Sequence, residues 1–334
     1  LEGFRFAPDP RTEGMHGRTL RAVALKALEG EYYSRARKLA AADDSQISLS
    51  EHGRVWWDGA IVAHLARGPS ALEPNVVLLC DEQLKPELRE SSVARLRAWI
   101  GSRIDARVAP LIALRRAADA KPGSPDALPA AARGVAHQLC EALGSLDRRQ
   151  ALLPPDLRVV QFALGRFGVR FGRHSIFLPS LLRPNAAGLL ALLSGVWSGA
   201  DNIPAPPPPG ITSFEPDPWL TDGFLAAAGF RRLAGRAVRL DILERLENTL
   251  EAGVHSGASS QSLLGRLVSL LGSNAAALEA TVAGMGWTKM AVGTAPTYVW
   301  RRSASRRNPL RKTKAAAAAP QSPFAELSAL IAAD

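Results

Sequence analysis

The sequence has little cysteine and no long uncharged apolar run. Its 334 residues include two cysteines, Cys80 and Cys140, which lie far apart and indicate free thiols in a reducing compartment. The longest uncharged stretch, residues 184–200, contains Gly and Ser and is too short to span a bilayer. We therefore expect a cytoplasmic chain without a membrane partner. The opening residues, LEGFRFAPDP, are no targeting peptide, and we expect them to lie within a longer protein.

The motifs of common enzymes are absent as well. The chain contains no G-x-x-x-x-G-K-[ST] phosphate loop, no G-x-G-x-x-G after a strand and no G-x-S-x-G nucleophile elbow. His137 and Cys140 are one helical turn apart, but zinc needs three or four ligands and no second pair has suitable spacing. By itself the chain is therefore not an NTPase, hydrolase or dehydrogenase of a common type. We expect no catalytic residue, cofactor or metal in it.

Basic charge is abundant and is concentrated near the end of the chain. The formal net charge is +10, and residues 301–314 carry seven arginines and lysines with no acidic residue. The part before residue 301 is only mildly basic. A strongly basic tail on a nearly neutral body is typical of contact with a polyanion, either nucleic acid or an acidic membrane. Improved solubility is the alternative explanation.

Hydrophobic periodicity predicts an α+β fold that is predominantly helical. Apolar residues recur at helical spacing over four long stretches, 17–42, 86–119, 127–143 and 185–197. Pro110 should break or kink the second of them. Over residues 46–80 the period changes to two, and Asp58-Gly59 is a hairpin signal, so a small β-hairpin module is expected there.

The proline-rich stretch 201–218 is the best candidate for a boundary between domains. It predicts a rigid connector, with a ligand for a proline-binding domain as the alternative. We divide the chain into a long helix plus small β module (1–84), a helical domain with a hairpin at 166–179 (85–200), the linker (201–218), a helix-turn-helix-like domain (219–302) and a flexible basic tail with a short terminal helix (303–334).

The helix-turn-helix-like domain has the order helix, tight turn, helix, hairpin, which is the outline of a winged fold. Ser273 is the expected N-cap of its second short helix, and Gly286 is the expected end. That helix carries almost no basic or amide group with which to contact base edges. We therefore expect a packing module with a basic wing at Arg301 and Arg302, not a reader of DNA sequence.

The stretch RFGVRFGRHSIFLPSLLRP, residues 166–184, is the main candidate for a contact surface. Alternation places Phe167, Val169 and Phe171 on a core face and Arg170 on the opposite face, between glycines that let another backbone approach closely. A phosphate grip that ignores base sequence and an ordinary half-buried hairpin both fit these residues. The candidate nucleic-acid-binding residues are Arg166, Arg170, Arg173, His174, Arg183, Arg301, Arg302, Arg306, Arg307, Arg311, Lys312 and Lys314.

A family resemblance is carried by five stretches: LEGFRFAPDP, GRVWWDGAIVAHLARG, RFGVRFGRHSIFLPSLLRP, AVRLDILERLE and SPFAEL. Together they resemble the carboxy-terminal half of large alphaproteobacterial superfamily-two helicases, which are similar to the ATP-dependent RNA helicase of the mitochondrial degradosome. The resemblance covers nearly the whole chain, and 166–184 is its most distinctive part. It implies two upstream RecA-like motor domains that bind and hydrolyse ATP with Mg²⁺. Their motifs are not in this sequence, so no catalytic residue is carried over.

The resemblance implies an accessory region of an ATP-dependent helicase. Such a region would sit against the motor domains of the same polypeptide and bind single-stranded nucleic acid, RNA or DNA, through phosphate contacts. The residues alone leave open whether the chain is part of an enzyme. The alternative is a protein-interaction scaffold without a direct nucleic-acid role, which would use the proline-rich linker and the terminal helix to recruit a partner such as a nuclease.

Overall fold

The computed structural model describes residues 3–5, 28–80, 84–200, 202–292 and 297–303. Its ten described helices are α1 (Glu29–Ala41), α2 (Pro86–Arg107), α3 (Ala109–Asp119), α4 (Ala130–Glu141), α5 (Leu157–Gly165), α6 (Pro184–Ser198), α7 (Asp222–Ala227), α8 (Leu240–Ser256), α9 (Ser260–Leu271) and α10 (Ala275–Gly284). Most of the regular structure is thus helical, and the α+β class is confirmed.

The strands are short and form four small antiparallel sheets. They are β1 (Ile47–Leu49), β2 (Arg54–Trp57), β3 (Ala60–Ser70), β4 (Glu73–Leu78), β5 (Ser145–Asp147), β6 (Arg170–Phe171), β7 (Ser175–Phe177), β8 (Ser213–Phe214), β9 (Phe230–Leu233), β10 (Arg236–Arg239), β11 (Trp287–Val292) and β12 (Thr297–Arg302). The sheets have the orders β1-β2-β3-β4, β5-β7-β6, β8-β10-β9 and β11-β12.

The predicted β module is the sheet β1-β2-β3-β4. Asp58 and Gly59 have φ angles of 50° and 72°, which is the left-handed backbone of a two-residue hairpin turn between β2 and β3. Trp57 is buried and Trp56 is exposed, as alternation on a half-buried strand requires. The first long helix was predicted over 17–42; its described part is α1, and residues 17–27 lie outside the described residues.

The helical part follows the sequence closely. Pro110 is the second residue of α3, and Val108 alone separates α3 from the end of α2 at Arg107, so the predicted interruption is confirmed. Buried apolar side chains on both sides of residue 84 belong to one cluster that extends from Phe4 to Ala227. The β module and the helices therefore share a core.

The proline-rich linker packs on the body along its described part. Ile203 is buried, and its carbonyl oxygen lies 2.9 Å from Nδ1 of His52. Further along, Ser213–Phe214 forms β8 and pairs with β10. The linker therefore contacts both the part of the chain that precedes it and the part that follows it.

The C-terminal part has its own core, built from α8, α9, α10 and the closing hairpin β11-β12. The axes of α9 and α10 differ by 89°, as a helix-turn-helix requires, and the predicted wing is present. Asn274, not Ser273, is the N-cap of α10, because its side-chain oxygen accepts a hydrogen bond from the N–H of Ala277 at 2.8 Å. Gly286, with φ of 90°, follows the helix end as expected.

Within the described part of the chain, no single helix combines the length and the apolar character needed to cross a membrane. The bent pair α9 and α10 meets that test only when the two helices are counted together, by length and composition.

Candidate nucleic-acid interface

The predicted hairpin is formed by β6 and β7, with Arg170 paired to Phe177 and Phe171 to Ile176. Gly168, with φ of 81°, turns the chain from the end of α5 into β6. Phe167, Val169 and Phe171 pack against the main core, whereas Arg170 is exposed. The expected division into an apolar inner face and a basic outer face is confirmed.

Gly172 has a different role from the one expected. The sequence suggested that it leaves room for a foreign backbone, but a Cβ added at Gly172 would fall on the carboxylate of Glu244 in α8. That carboxylate accepts hydrogen bonds from the backbone N–H groups of Arg173 and His174, at 2.9 and 3.2 Å. The close approach at Gly172 is therefore made by this chain's own helix.

The tip of the hairpin docks on a buried carboxylate one turn further along α8. Glu247 is 1% exposed, and its Oε2 lies 3.0 Å from His174 Nε2. The same oxygen accepts a hydrogen bond from Trp287 Nε1 at 3.0 Å. Arg302 from the wing forms an ion pair with Glu247, and its guanidinium stacks on Trp287 at 4.9 Å from the ring centre. One side chain thus joins the hairpin, α8 and the wing.

His174 is neutral in this site. Burial lowers its pKa to about 4, and the positive charges of Arg231, Arg302 and Arg149 act in the same direction, against the opposite influence of Glu244. A neutral imidazole beside the Glu247 carboxylate donates its Nε2–H to it. His174 is 5% exposed, so it has no surface to offer a phosphate, although the sequence placed it among the candidate contacts.

Two other candidates, Arg173 and Arg302, also turn toward α8. The Arg173 guanidinium lies 4.0 Å from Glu247 and 4.0 Å from Glu251, and Arg302 lies 3.5 Å from Glu251. Their positive charge compensates carboxylates of the same molecule, and burying Glu247 without such partners would be costly. We therefore regard both as structural cations.

A groove of about 710 Å³ opens beside this junction, between the hairpin and the start of α8. Arg170 from β6, Arg183 before α6 and Arg245 from α8 line it, together with the amide of Asn248. Among the described residues, the side chains of these three arginines have neither a hydrogen-bond nor an ion-pair partner, and all three are exposed. Three free guanidinium groups from three elements thus converge on one groove.

The carboxylates that line the groove do not cancel this charge. Asp241 is held by Arg239 through two hydrogen bonds, 2.6 and 3.1 Å long. Glu244 is occupied by the two backbone N–H groups of the hairpin. Hydrogen bonds leave both carboxylates charged, but the groove is lined by four arginines, Arg170, Arg183, Arg239 and Arg245, against these two acids. It therefore keeps a local excess of positive charge, which is suited to an anion of extended shape.

Arg245 and Asn248 were not among the candidates predicted from the sequence. They lie on an amphipathic helix whose charged residues fit a solvated surface equally well. The only local sign of a shared surface is that both are exposed and lie three residues apart on α8. The other wall of the groove is the hairpin, which lies more than 60 residues earlier in the chain and cannot be matched to α8 by a local pattern.

The remaining candidates do not line the groove. Arg166 is exposed, donates a hydrogen bond to the carbonyl of Asp126 at 3.3 Å and stacks on Phe167. Arg301 is exposed on the wing. The tail candidates lie outside the described residues; they are Arg306, Arg307, Arg311, Lys312 and Lys314.

The described residues contain no group of three or more His, Cys, Asp or Glu side chains that would hold a metal ion. Within the pair considered from the sequence, His137 Nδ1 lies 3.8 Å from Asp119, and burial raises the pKa of the Cys140 thiol to about 12. A thiol in that environment stays protonated, and metals bind the thiolate.

Comparisons with protein-family models, with curated proteins and with solved structures find no match to this chain.

Proposed function

We propose that this chain binds single-stranded nucleic acid through phosphate contacts and serves as an accessory region of an ATP-dependent helicase. The observation that carries the proposal is the groove in which Arg170, Arg183 and Arg245 converge without carboxylate partners among the described residues. Guanidinium groups bind phosphate oxygens through two parallel hydrogen bonds, without regard to base sequence. Motor domains upstream would bind ATP and Mg²⁺, while this region would hold the strand.

The composition of the winged part fits a packing role beside the phosphate-binding groove. The outer face of α10 presents Ala275, Ala276, Ala280 and Ala283, with Glu279 as its only exposed charged side chain. A helix of this composition has almost no group that would distinguish base pairs in a major groove, and its one acidic side chain would repel the DNA phosphates. The domain instead supplies α8, and with it Arg245 and the Glu247 network, to the junction with the hairpin.

The test is the salt dependence of binding to a short single-stranded oligonucleotide. Each phosphate contact to a single strand contributes about 0.7 to the slope of log K against log salt. Replacing Arg170, Arg183 and Arg245 together by Gln should therefore lower the slope by about 2. Fluorescence anisotropy at several salt concentrations measures it.

The matched control replaces Arg89, Arg97 and Arg158 by Gln. These residues are exposed on α2 and α5 and do not line the groove. Their replacement changes the net charge by the same amount as replacement of the three groove arginines. We expect the control to keep nearly the whole slope of the unmodified chain. Equal slopes for both triple variants would refute the groove as the phosphate site.

A second candidate function, the protein-interaction scaffold, is favoured by one observation. Phe162 and Val159, three residues apart on α5, are 89% and 46% exposed and form an apolar patch on one face of the helix. This candidate predicts that oligonucleotide binding is weak and independent of the groove arginines. It also predicts that Phe162→Ser, or removal of 321–334, abolishes capture of a partner such as a nuclease.

A further inference from the structure

A second cavity, of about 540 Å³, adjoins the groove and has the opposite character. Its walls come from the start of α6, from the proline run Pro206–Pro209 and from Phe230 in β9. Pockets of this size with mostly apolar walls, located where separate parts of a chain meet, are typical small-ligand sites. The proline run thus lines a cavity in addition to its connecting role.

The two cavities are adjacent. Leu182 and Arg239 line both of them and therefore lie between the charged groove and the apolar pocket. Arg239 is fixed in place, because its guanidinium is held by Asp241 and also donates to the carbonyl of Ile211 at 3.3 Å. A ligand that extends through both cavities meets free cations first and apolar rings next.

We propose that the pocket takes a nucleobase of the same single strand whose phosphates lie in the groove. This inference depends on the proposed function and deepens it by assigning a place to the base. In a single strand, each anionic phosphate lies next to an apolar planar base. In the protein, the groove with its cations likewise lies next to the pocket with its apolar rings. A base inside a duplex is already stacked and paired, so the pocket favours single-stranded ligands.

The chemistry of the pocket selects the base over the phosphate. Its one carboxylate, Glu51, is exposed at the cavity and would repel an anion. The exposed and half-buried rings of Pro206–Pro209 offer apolar surfaces against which a base packs whatever its identity. Phe230, 5% exposed, contributes to the wall of the pocket but offers no open face for stacking. Glu51 can also accept a hydrogen bond from an exocyclic amino group, as lone carboxylates do when they contact bases.

The test compares two probes that differ only in their bases: a short single-stranded DNA oligonucleotide and the same oligonucleotide with abasic sites. The unmodified full chain should bind the complete oligonucleotide about tenfold more tightly, because stacking is lost in the abasic probe. Gly188→Leu should remove this preference. Gly188 lies in α6 and lines the pocket, and a Cβ added there meets only Pro206, at an ordinary contact distance of 3.8 Å. The rest of the leucine side chain would then occupy space beside the proline run.

Gly101→Leu is the matched control, since Gly101 lies in the middle of α2 with open space around it and lines neither cavity. It should keep the tenfold preference, and melting temperatures should show that both variants are folded. Equal binding of the two probes by the unmodified chain, or a preference that survives Gly188→Leu, would overturn the base pocket and leave the phosphate grip standing. Binding of neither probe would instead overturn the proposed function itself.

Discussion

Glu247 is the residue on which the junction between the two halves of the molecule depends. It is almost completely buried on α8, yet its carboxylate is contacted by His174, Trp287 and Arg302, which come from the hairpin and the wing. A buried charge without partners is strongly destabilising, whereas one surrounded by donors is tolerated. The hairpin and the wing therefore stay on α8 together.

The neutral state of His174 makes the stability of the fold depend on pH. Its pKa is lowered to about 4 in the folded chain, from an ordinary value of 6.5, chiefly by burial. Between these values the unfolded chain binds more protons, so the free energy of unfolding should fall as the pH is lowered from 6.5 toward 4. The loss due to this residue is about 3 kcal/mol at most. Urea unfolding at several pH values measures it.

His174→Gln removes the titrating group and keeps an N–H that donates to Glu247. In this variant the loss of stability between pH 6.5 and 4 should be smaller than in the unmodified chain. His255→Gln, which replaces an exposed histidine at the end of α8, is the control. A His174→Gln profile that superimposes on that of the unmodified chain would show that this imidazole is not responsible.

At the scale of elements, the contact between the hairpin and α8 needs a glycine. A side chain at position 172 would displace the Glu244 carboxylate, which accepts hydrogen bonds from two backbone N–H groups of the hairpin. The carboxylate is at the end of a flexible side chain, so it can swing aside at the expense of those hydrogen bonds. It would then stand free in the groove, where it would repel phosphate.

Gly172→Ala should therefore lower the free energy of unfolding by about 1 to 3 kcal/mol and weaken oligonucleotide binding. Gly165→Ala, at the end of α5 where an added Cβ meets nothing within 4 Å, should do neither. Urea unfolding and anisotropy titration measure the two effects. Unchanged binding by Gly172→Ala would indicate that Glu244 does not influence the groove.

The elements themselves could be predicted from the sequence because their signals are local. The break at Pro110, the turn at Asp58-Gly59 and the alternation of Phe167, Val169 and Phe171 each depend on a few neighbouring residues. The lining of the groove could be predicted only in part, since Arg170 and Arg183 were among the candidate residues but Arg245 was not. An arginine of the hairpin is structural when it pairs with a carboxylate on α8 and free when it does not. Those carboxylates lie about 70 residues later in the chain, so no local pattern predicts the pairing.

At the scale of the whole molecule, the groove and the pocket lie where the hairpin, α6, the linker and the winged part meet. None of these parts contains the site alone: Arg170 comes from the hairpin, Arg245 from α8 and Pro206–Pro209 from the linker. A change in how the winged part sits on the body would alter both cavities together. The linker and the Glu247 network thus maintain the shape of both cavities as well as the fold.

The central claim is that a single strand lies along the hairpin and the start of α8. Amide hydrogen exchange of the full chain, with and without a saturating single-stranded oligonucleotide, tests it most directly. We predict slower exchange in residues 170–183 and 241–248 on binding, and no change in α2. Protection confined to α10 and the wing, or no protection in 170–183 despite saturation, would contradict the account.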